Sequence, residues 1–201
     1  MPEPPVIEAF YGMSSPWAYL GAPRLFEIAD RHGADLVLRP IRIIQPNGGI
    51  PLRTRPIPRQ VYHAVELARW RDFLGTKLNL KPKHYPCRSI EPAAHAVIAA
   101  AQAGLDARTF SYSIQRGLWA EDRDIADTEV LQELALRDLG QEGAALVRDP
   151  QPSAVTEVFQ HNLADAEAIG IFGTPTYVFR DELFWGQDRL DFLDRALAAA
   201  T

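Results

Sequence analysis

The chain of 201 residues contains one cysteine, Cys87, and this scarcity excludes several kinds of chemistry. Neither an intrachain disulfide nor a Cys-X-X-Cys redox pair can form, and we expect Cys87 to be inert. The five histidines have no zinc-ligand spacing, which predicts that there is no metal site. A phosphate-binding glycine loop and a Gly-x-Ser-x-Gly elbow are also absent, so nucleotide hydrolysis and hydrolase chemistry of those types are not expected.

Long apolar runs are missing as well. No run reaches the roughly 18 residues of a membrane span, so none is predicted. The opening residues, Met1-Pro2-Glu3-Pro4-Pro5, lack the basic and apolar regions of a secretory signal, which favours the cytoplasm. A hydrophobic content of 47% is enough for one sizeable domain or a domain with a large insertion.

The charge is unevenly distributed. The net charge of −5 argues against nucleic acid as a partner, yet residues 39 to 88 carry eleven Lys or Arg and two acidic residues, a local charge of +9. Such a field attracts a small anion such as a carboxylate. A solvated helix face carrying Arg59, Arg69, Arg71 and Lys77 would explain the same composition.

The start of the chain predicts a strand followed by a helix. Val6 to Tyr11 is a short β-favouring run, and Ser15 can cap a helix that has Pro16 at its first position. The helix is expected to kink at Pro23 and to stop at Gly33. A helix N-terminus offers free N–H groups and partial positive charge, so a thiolate beside Ser15 would be stabilised. Alternatively, Ser15 serves only as the cap.

The rest of the chain predicts a strand, a helical middle, and then two strands and a helix. The predicted strands are 34–44, 176–179 and 183–185, and the predicted helices are 61–74, 92–103, 107–119, 127–139, 153–168 and 190–199. The last two strands form a hairpin turned at residues 180–182. A βαβ start and a ββα finish can complete each other, which predicts an α/β fold with one mixed sheet and an inserted helical subdomain.

Four ordered motifs carry a family resemblance. They are Phe-Tyr-Gly-Met-Ser-Ser-Pro-Trp-Ala-Tyr-Leu at 10–20, Leu-Trp-Ala-Glu-Asp-Arg-Asp-Ile-Ala-Asp at 118–127, Gly-Ile-Phe-Gly-Thr-Pro-Thr-Tyr-Val at 170–178 and Leu-Phe-Trp-Gly-Gln-Asp-Arg-Leu at 183–190. Together they resemble the 2-hydroxychromene-2-carboxylate isomerases, which are grouped with the kappa-class glutathione transferases in the DsbA-like branch of the thioredoxin superfamily. The resemblance covers nearly the whole chain.

The resemblance implies a fold, a cofactor and partners. The fold is a thioredoxin-like, DsbA-like α/β unit over residues 1–201, with the thioredoxin core at 1–45 and 169–201 and an all-helical insertion at about 56–168. The cofactor is glutathione, the substrate is a small aromatic carboxylate, and the assembly is a homodimer.

The implied reaction interconverts 2-hydroxychromene-2-carboxylate and trans-o-hydroxybenzylidenepyruvate in naphthalene-type catabolism. The glutathione thiol adds to the conjugated carbon, the ring opens, a single bond rotates, and elimination releases glutathione unchanged. A kappa-like transferase acting on another electrophile would share the same motifs. A thioredoxin-like module that binds a peptide without chemistry is the alternative from a different class.

The resemblance also implies a thiol-activating residue, Ser15, whose hydroxyl can hydrogen-bond a sulfur but cannot form a mixed disulfide with it. Ser14 is the rival assignment. Thr174 is matched to the residue before a cis-proline, here Pro175, and its backbone would pair with the cysteinyl part of glutathione. An ordinary strand start is the alternative for these two residues.

The resemblance implies further cofactor-binding residues just before the last helix. Trp185, Gly186, Gln187 and Asp188 precede the last helix, where free N–H groups suit a carboxylate and Asp188 suits the γ-glutamyl ammonium. Helix capping is the alternative role of Asp188.

The substrate side is matched to Asn47, Arg53 and Tyr85. The loop at 47–55 lacks the Gly-Asn-x-Pro-Pro-like run of the family, and Arg53 replaces an asparagine-type residue. Arg53 and Arg55 are therefore both candidate carboxylate partners. Trp119 lies either in this pocket or in the core.

Overall fold

A computed structural model describes residues 3–148 and 151–200 of the chain. Met1 and Pro2, the first two residues of the segment that lacks a signal pattern, lie outside the described residues. The regular elements are β1 Val6–Tyr11, α1 Pro16–His32, β2 Asp35–Pro40, α2 Ile57–Leu74, α3 Glu91–Gln102, α4 Ala107–Glu121, α5 Thr128–Leu146, α6 Ser153–Ala168, β3 Thr176–Phe179, β4 Glu182–Trp185 and α7 Leu190–Ala198.

The four strands form one mixed sheet in the order β2-β1-β3-β4. β1 pairs in parallel with β2 and antiparallel with β3, and β4 pairs antiparallel with β3. β1 therefore lies between β2, from the N-terminal part of the chain, and β3, from the C-terminal part. Helices α2 to α6 lie between β2 and β3 in sequence, as the predicted helical insertion between the βαβ start and the ββα finish requires.

Several predicted boundaries differ from the structure; α2, for example, begins at Ile57 and not at residue 61. β2 stops at Pro40 and does not reach residue 44, because proline has no N–H to continue a strand ladder. The hairpin turn uses only Arg180 and Asp181, both at positive φ, as a two-residue turn requires. α5 breaks at Gly140, where it was predicted to end, and then resumes to Leu146.

The core joins the sheet to the helical middle. Its largest fully buried side chains include Phe10 and Tyr177 from the sheet and Phe110, Trp119 and Phe159 from the helices. α1 packs against α4 and α7, while α3 and α6 pack against β2. By contrast, α2 buries only Leu67, so this helix stands over the body of the protein with most of its surface exposed. None of the described helices is long and apolar enough to cross a membrane.

Candidate active site

Ser15 lies where β1 turns into α1. Its backbone N–H donates to the carbonyl of Gly12 at 2.9 Å, and its Oγ accepts the backbone N–H of Ala18 at 3.2 Å. With Pro16 at the first helical position, Ser15 is the predicted N-cap. The same Oγ donates to the carbonyl of Thr174 at 3.4 Å, a long contact that a better acceptor could replace. The two halves of the predicted site therefore meet.

The Thr174–Pro175 peptide bond is cis, and the two residues have different positions. Thr174 lines a cleft, whereas Pro175 is buried beneath it and its carbonyl accepts the N–H of Gly186 at 2.9 Å. No backbone acceptor in the described part of the chain takes the N–H of Thr174. The turn thus presents a free donor and a weakly engaged carbonyl beside Ser15.

The turn between β4 and α7 borders the same cleft. Gly186 has a φ of 100°, and a β-carbon there would lie 2.5 Å from Asp188 Oδ1, so only glycine suits this position. Gln187 is buried and packs close to Gly21 of α1. Asp188 pairs with Arg189 at 2.8 Å, and neither the short 3-10 helix at Gln187–Arg189 nor α7 is capped by a side chain. Capping by Asp188 is therefore wrong.

The cleft has a volume of about 1230 Å³. This exceeds the roughly 300–1,000 Å³ of a pocket for one drug-sized ligand, so there is room for more than one small molecule. Its apolar wall is an edge-to-face pair, Phe172 and Trp185, with ring centroids 4.7 Å apart. The two rings are 42% and 53% exposed, which leaves apolar surface that a ligand could cover. A β-carbon at Gly173 would collide with the Trp185 indole Nε1.

Helix α2 also lines the cleft, and a tryptophan of the Ser15 motif holds it in place. The indole Nε1 of Trp17 donates to Nε2 of His63 at 3.1 Å, and the rings meet edge to face. Because the indole can only donate, His63 Nε2 is unprotonated and its ring proton is on Nδ1. Burial lowers the pKa of His63, and the nearby Arg55 cation lowers this pKa further. A neutral His63 therefore faces the cleft at pH 7.

Tyr85 closes one end of the cleft and rests on the core. Its ring centroid lies 4.9 Å from that of Trp119, which is 1% exposed and so belongs to the core and does not line the pocket. Burial raises the pKa of Tyr85; Cys87 adds to this, while Arg53 and Arg55 oppose it. The phenol is therefore a hydrogen-bond donor at neutral pH. Burial also raises the pKa of Cys87 to about 11, so its thiol stays protonated.

Two of the residues matched to the substrate side lie outside the cleft lining. The Asn47 amide donates to the carbonyls of Glu167 and Ile171 at 2.8 and 3.1 Å, which ties its loop to the end of α6. Arg53 lies on an exposed 3-10 turn and does not line the cleft. Of the substrate-side residues, only Tyr85 lies beside Ser15, Thr174 and the β4–α7 turn.

The sequence interpretation missed the contribution of α2. Arg59, His63, Glu66 and Trp70 line the cleft from successive turns of this helix. Their spacing of four, three and four residues puts them on one helical face, and this pattern was visible in the sequence. The charged residues of this segment instead suggested either an anion-attracting field or a solvated face, since nothing local shows which side of a helix meets a cleft.

We expect acid to weaken the Trp17–His63 contact. The pKa of His63 is lower in the folded protein, so between that pKa and the ordinary value of about 6.5 the unfolded chain binds more protons, and stability falls with falling pH. Wild type should lose more unfolding free energy than His63→Gln from about pH 7 to about pH 5. Urea unfolding across this range measures it, and equal slopes for the two proteins would contradict it.

The chain has a βαβ unit, a helical middle and a ββα unit, and the serine that caps α1 faces a Thr-cis-Pro turn. These features define a thioredoxin-fold protein without a redox pair of cysteines. The chain belongs to the DSBA-like thioredoxin domain family, whose model it matches over residues 6–198. The predicted fold class is thereby confirmed.

Curated relatives and solved structures agree with this assignment. The chain is 28% identical to a 2-hydroxychromene-2-carboxylate isomerase of Sphingobium xenophagum over 95% of this chain and 97% of that protein. It is 27% identical to another of that name from Pseudomonas sp. (strain C18), over 97% and 91%. A solved 2-hydroxychromene-2-carboxylate isomerase superposes with a TM-score of 0.76 at 24% identity, covering 97% of this chain and 95% of that one. The family resemblance is confirmed.

Proposed function

We propose that this protein is a glutathione-dependent cis-trans isomerase that interconverts 2-hydroxychromene-2-carboxylate and trans-o-hydroxybenzylidenepyruvate. Three curated relatives at 27–28% identity carry the name 2-hydroxychromene-2-carboxylate isomerase. The observation that carries the proposal is the position of Ser15, whose hydroxyl caps α1 and faces Thr174 at the edge of a large cleft. This chain has no redox pair of its own.

The residues at this edge fit glutathione. The free Thr174 N–H and its carbonyl form a short strand edge for the cysteinyl part of a peptide. The Gly186 turn brings backbone close to the cleft, and the Asp188 carboxylate suits an ammonium group. Trp185 would cover one side of the bound tripeptide. A second ligand would occupy the remaining space toward α2 and Tyr85.

Bound glutathione would supply a thiol whose reversible addition to a conjugated carbon permits rotation about the neighbouring bond. The protein's task is to keep that thiol ionised. A free thiol with a pKa of about 8.5 is only about 3% ionised at pH 7. One charge-assisted hydrogen bond from Ser15 Oγ, worth about 1.5–3 kcal/mol, lowers this pKa by about 1–2 units. The N-terminus of α1 acts in the same direction.

The test is turnover of 2-hydroxychromene-2-carboxylate with and without glutathione, followed by absorbance, with total glutathione titrated at the end. Conversion that requires glutathione and consumes none supports the isomerase. Loss of glutathione into an adduct would identify a kappa-like transferase. Binding of glutathione without conversion of this or any related electrophile would favour the non-catalytic binding module.

We also propose a cytoplasmic homodimer. A lone protonated cysteine suits a reducing compartment, and α2 exposes Ile57, Val61 and Phe73 at 68%, 59% and 78%. A molar mass in solution equal to one chain would exclude the dimer.

A further inference from the structure

Five of the eleven cations of the basic segment 39–88 are paired with carboxylates in the part of the chain that the structure describes. Carboxylates neutralise them at Arg39 with Glu8 and Asp165, Arg42 with Glu91, Arg69 with Glu66, Arg71 with Asp72 and Arg88 with Asp124. Arg53, Arg55 and Arg59 have no carboxylate partner among residues 3–148 and 151–200, and of these three only Arg55 and Arg59 line the cleft. Part of the positive charge inferred from the sequence therefore borders the cleft that also contains Ser15.

Arg55 is held in place at both its backbone and its side chain. Its Nε donates to the carbonyl of Ile50 at 3.0 Å, and its own carbonyl accepts the Gln60 amide at 2.7 Å. These contacts fix the base of the guanidinium and leave its two terminal nitrogens uncommitted. A planar guanidinium held this way offers two parallel donors, the geometry that matches a carboxylate. Less side-chain entropy is lost on binding, because the side chain is already ordered.

The neighbours of Arg55 extend this donor set. The positive charge of Arg55 lowers the pKa of His63, and the charges of Arg53 and Arg55 both oppose the rise in the pKa of Tyr85, so Arg55 lies near the imidazole and both arginines lie near the phenol. The phenol of Tyr85 is a hydrogen-bond donor, and His63 carries its proton on Nδ1. Ile50 and Leu52 supply apolar surface next to these groups. The region thus combines a cation, neutral donors and apolar surface, which suits an aromatic acid.

We propose that Arg55 binds the carboxylate of the substrate, with the Tyr85 hydroxyl beside it, and thereby selects aromatic compounds that carry an acid group. This inference rests on the proposed function for the identity of the reaction. It replaces Arg53, the residue matched from the sequence, with its neighbour two positions on. Arg59 contributes to the positive field from the first turn of α2.

Kinetics of three glutamine variants test the assignment. Arg55→Gln should raise the KM for 2-hydroxychromene-2-carboxylate about 10- to 100-fold, the loss expected for a charge-assisted hydrogen bond, with a smaller change in kcat. Arg53→Gln should raise it much less. Arg71→Gln removes an ion pair of α2 that lies outside the cleft lining and should leave turnover unchanged. Equal effects of Arg53→Gln and Arg55→Gln, or a larger effect of Arg53→Gln, would overturn the inference.

Direct binding separates this inference from the proposed function. Calorimetric titration should show that the wild-type protein with glutathione binds salicylate at least tenfold more tightly than neutral salicylamide, and Arg55→Gln should abolish the preference. This result without any turnover would overturn the isomerase and leave the carboxylate site standing. Turnover by Arg55→Gln with an unchanged KM would support the isomerase and overturn the carboxylate site. A wild-type protein that shows no preference for salicylate would overturn the site. Equal midpoints of thermal unfolding verify that the variant folds.

Discussion

Replacing Ser15 with alanine should lower kcat/KM for the proposed isomerisation by about 10- to 100-fold, the effect of losing one charge-assisted hydrogen bond to a thiolate. The pKa of the bound glutathione thiol should rise by about 1–2 units, which the ultraviolet absorbance of the thiolate measures. The affinity for glutathione should change less, since its other contacts remain. The same change removes the cap of α1 and should cost about 1 kcal/mol of stability.

Two further variants separate catalysis from capping. Ser15→Asp keeps a good N-cap but places a negative charge beside the sulfur, so stability should be retained while turnover falls further. Ser14→Ala tests the rival hydroxyl, which also lines the cleft but forms no hydrogen bond with Thr174 in the described structure. The role would belong to Ser14 if the pKa of the bound glutathione thiol stayed at its wild-type value in Ser15→Ala and rose in Ser14→Ala.

Trp119→Ala should destabilise the protein by about 3–5 kcal/mol, the usual cost of truncating a large buried aromatic side chain. Trp119 is 1% exposed and supports the ring of Tyr85, so this variant should also raise the KM for substrate. Trp119→Phe should cost far less, because the indole Nε1 is buried without a hydrogen-bond partner in the described part of the chain. Urea unfolding of the three proteins measures the difference.

Trp70→Ala is the matched control for this prediction. Trp70 is only half-buried and packs on the exposed ring of Phe73, so its truncation should cost clearly less than that of Trp119. Equal losses at the two positions would mean that the Tyr85–Trp119 region is not part of the cooperative core.

The sequence predicts a structural element correctly where the interactions that set its ends are local. β1, the Ser15 cap and the Gly33 stop of α1 were predicted from neighbouring residues, and α6 was predicted with both of its bounds. In each case the controlling contacts lie within a few positions along the chain. β2 was predicted too long because its end depends on Pro40 and on the loss of a neighbouring strand.

The sequence motifs predict part of the candidate site, namely the residues that hold the thiol. Ser15, Thr174, Tyr85 and the β4–α7 turn all line the cleft, as the motif matches predict. Asn47 and Arg53 do not, because a match along a loop gives the position of the backbone but not the direction of the side chain. Asn47 turns toward carbonyl groups at the end of α6.

The mixed α/β organisation, the absence of dithiol chemistry and the two chain segments that build the thiol site all follow from the amino-acid sequence alone. Which cations face the cleft depends on the fold, because ion pairs and cleft walls form between residues that are far apart in the chain. Arg42 meets Glu91, whereas Arg55 is anchored to Ile50 and left without a carboxylate. The electrostatic cost of unpaired charge depends on that long-range placement, which local periodicity does not encode.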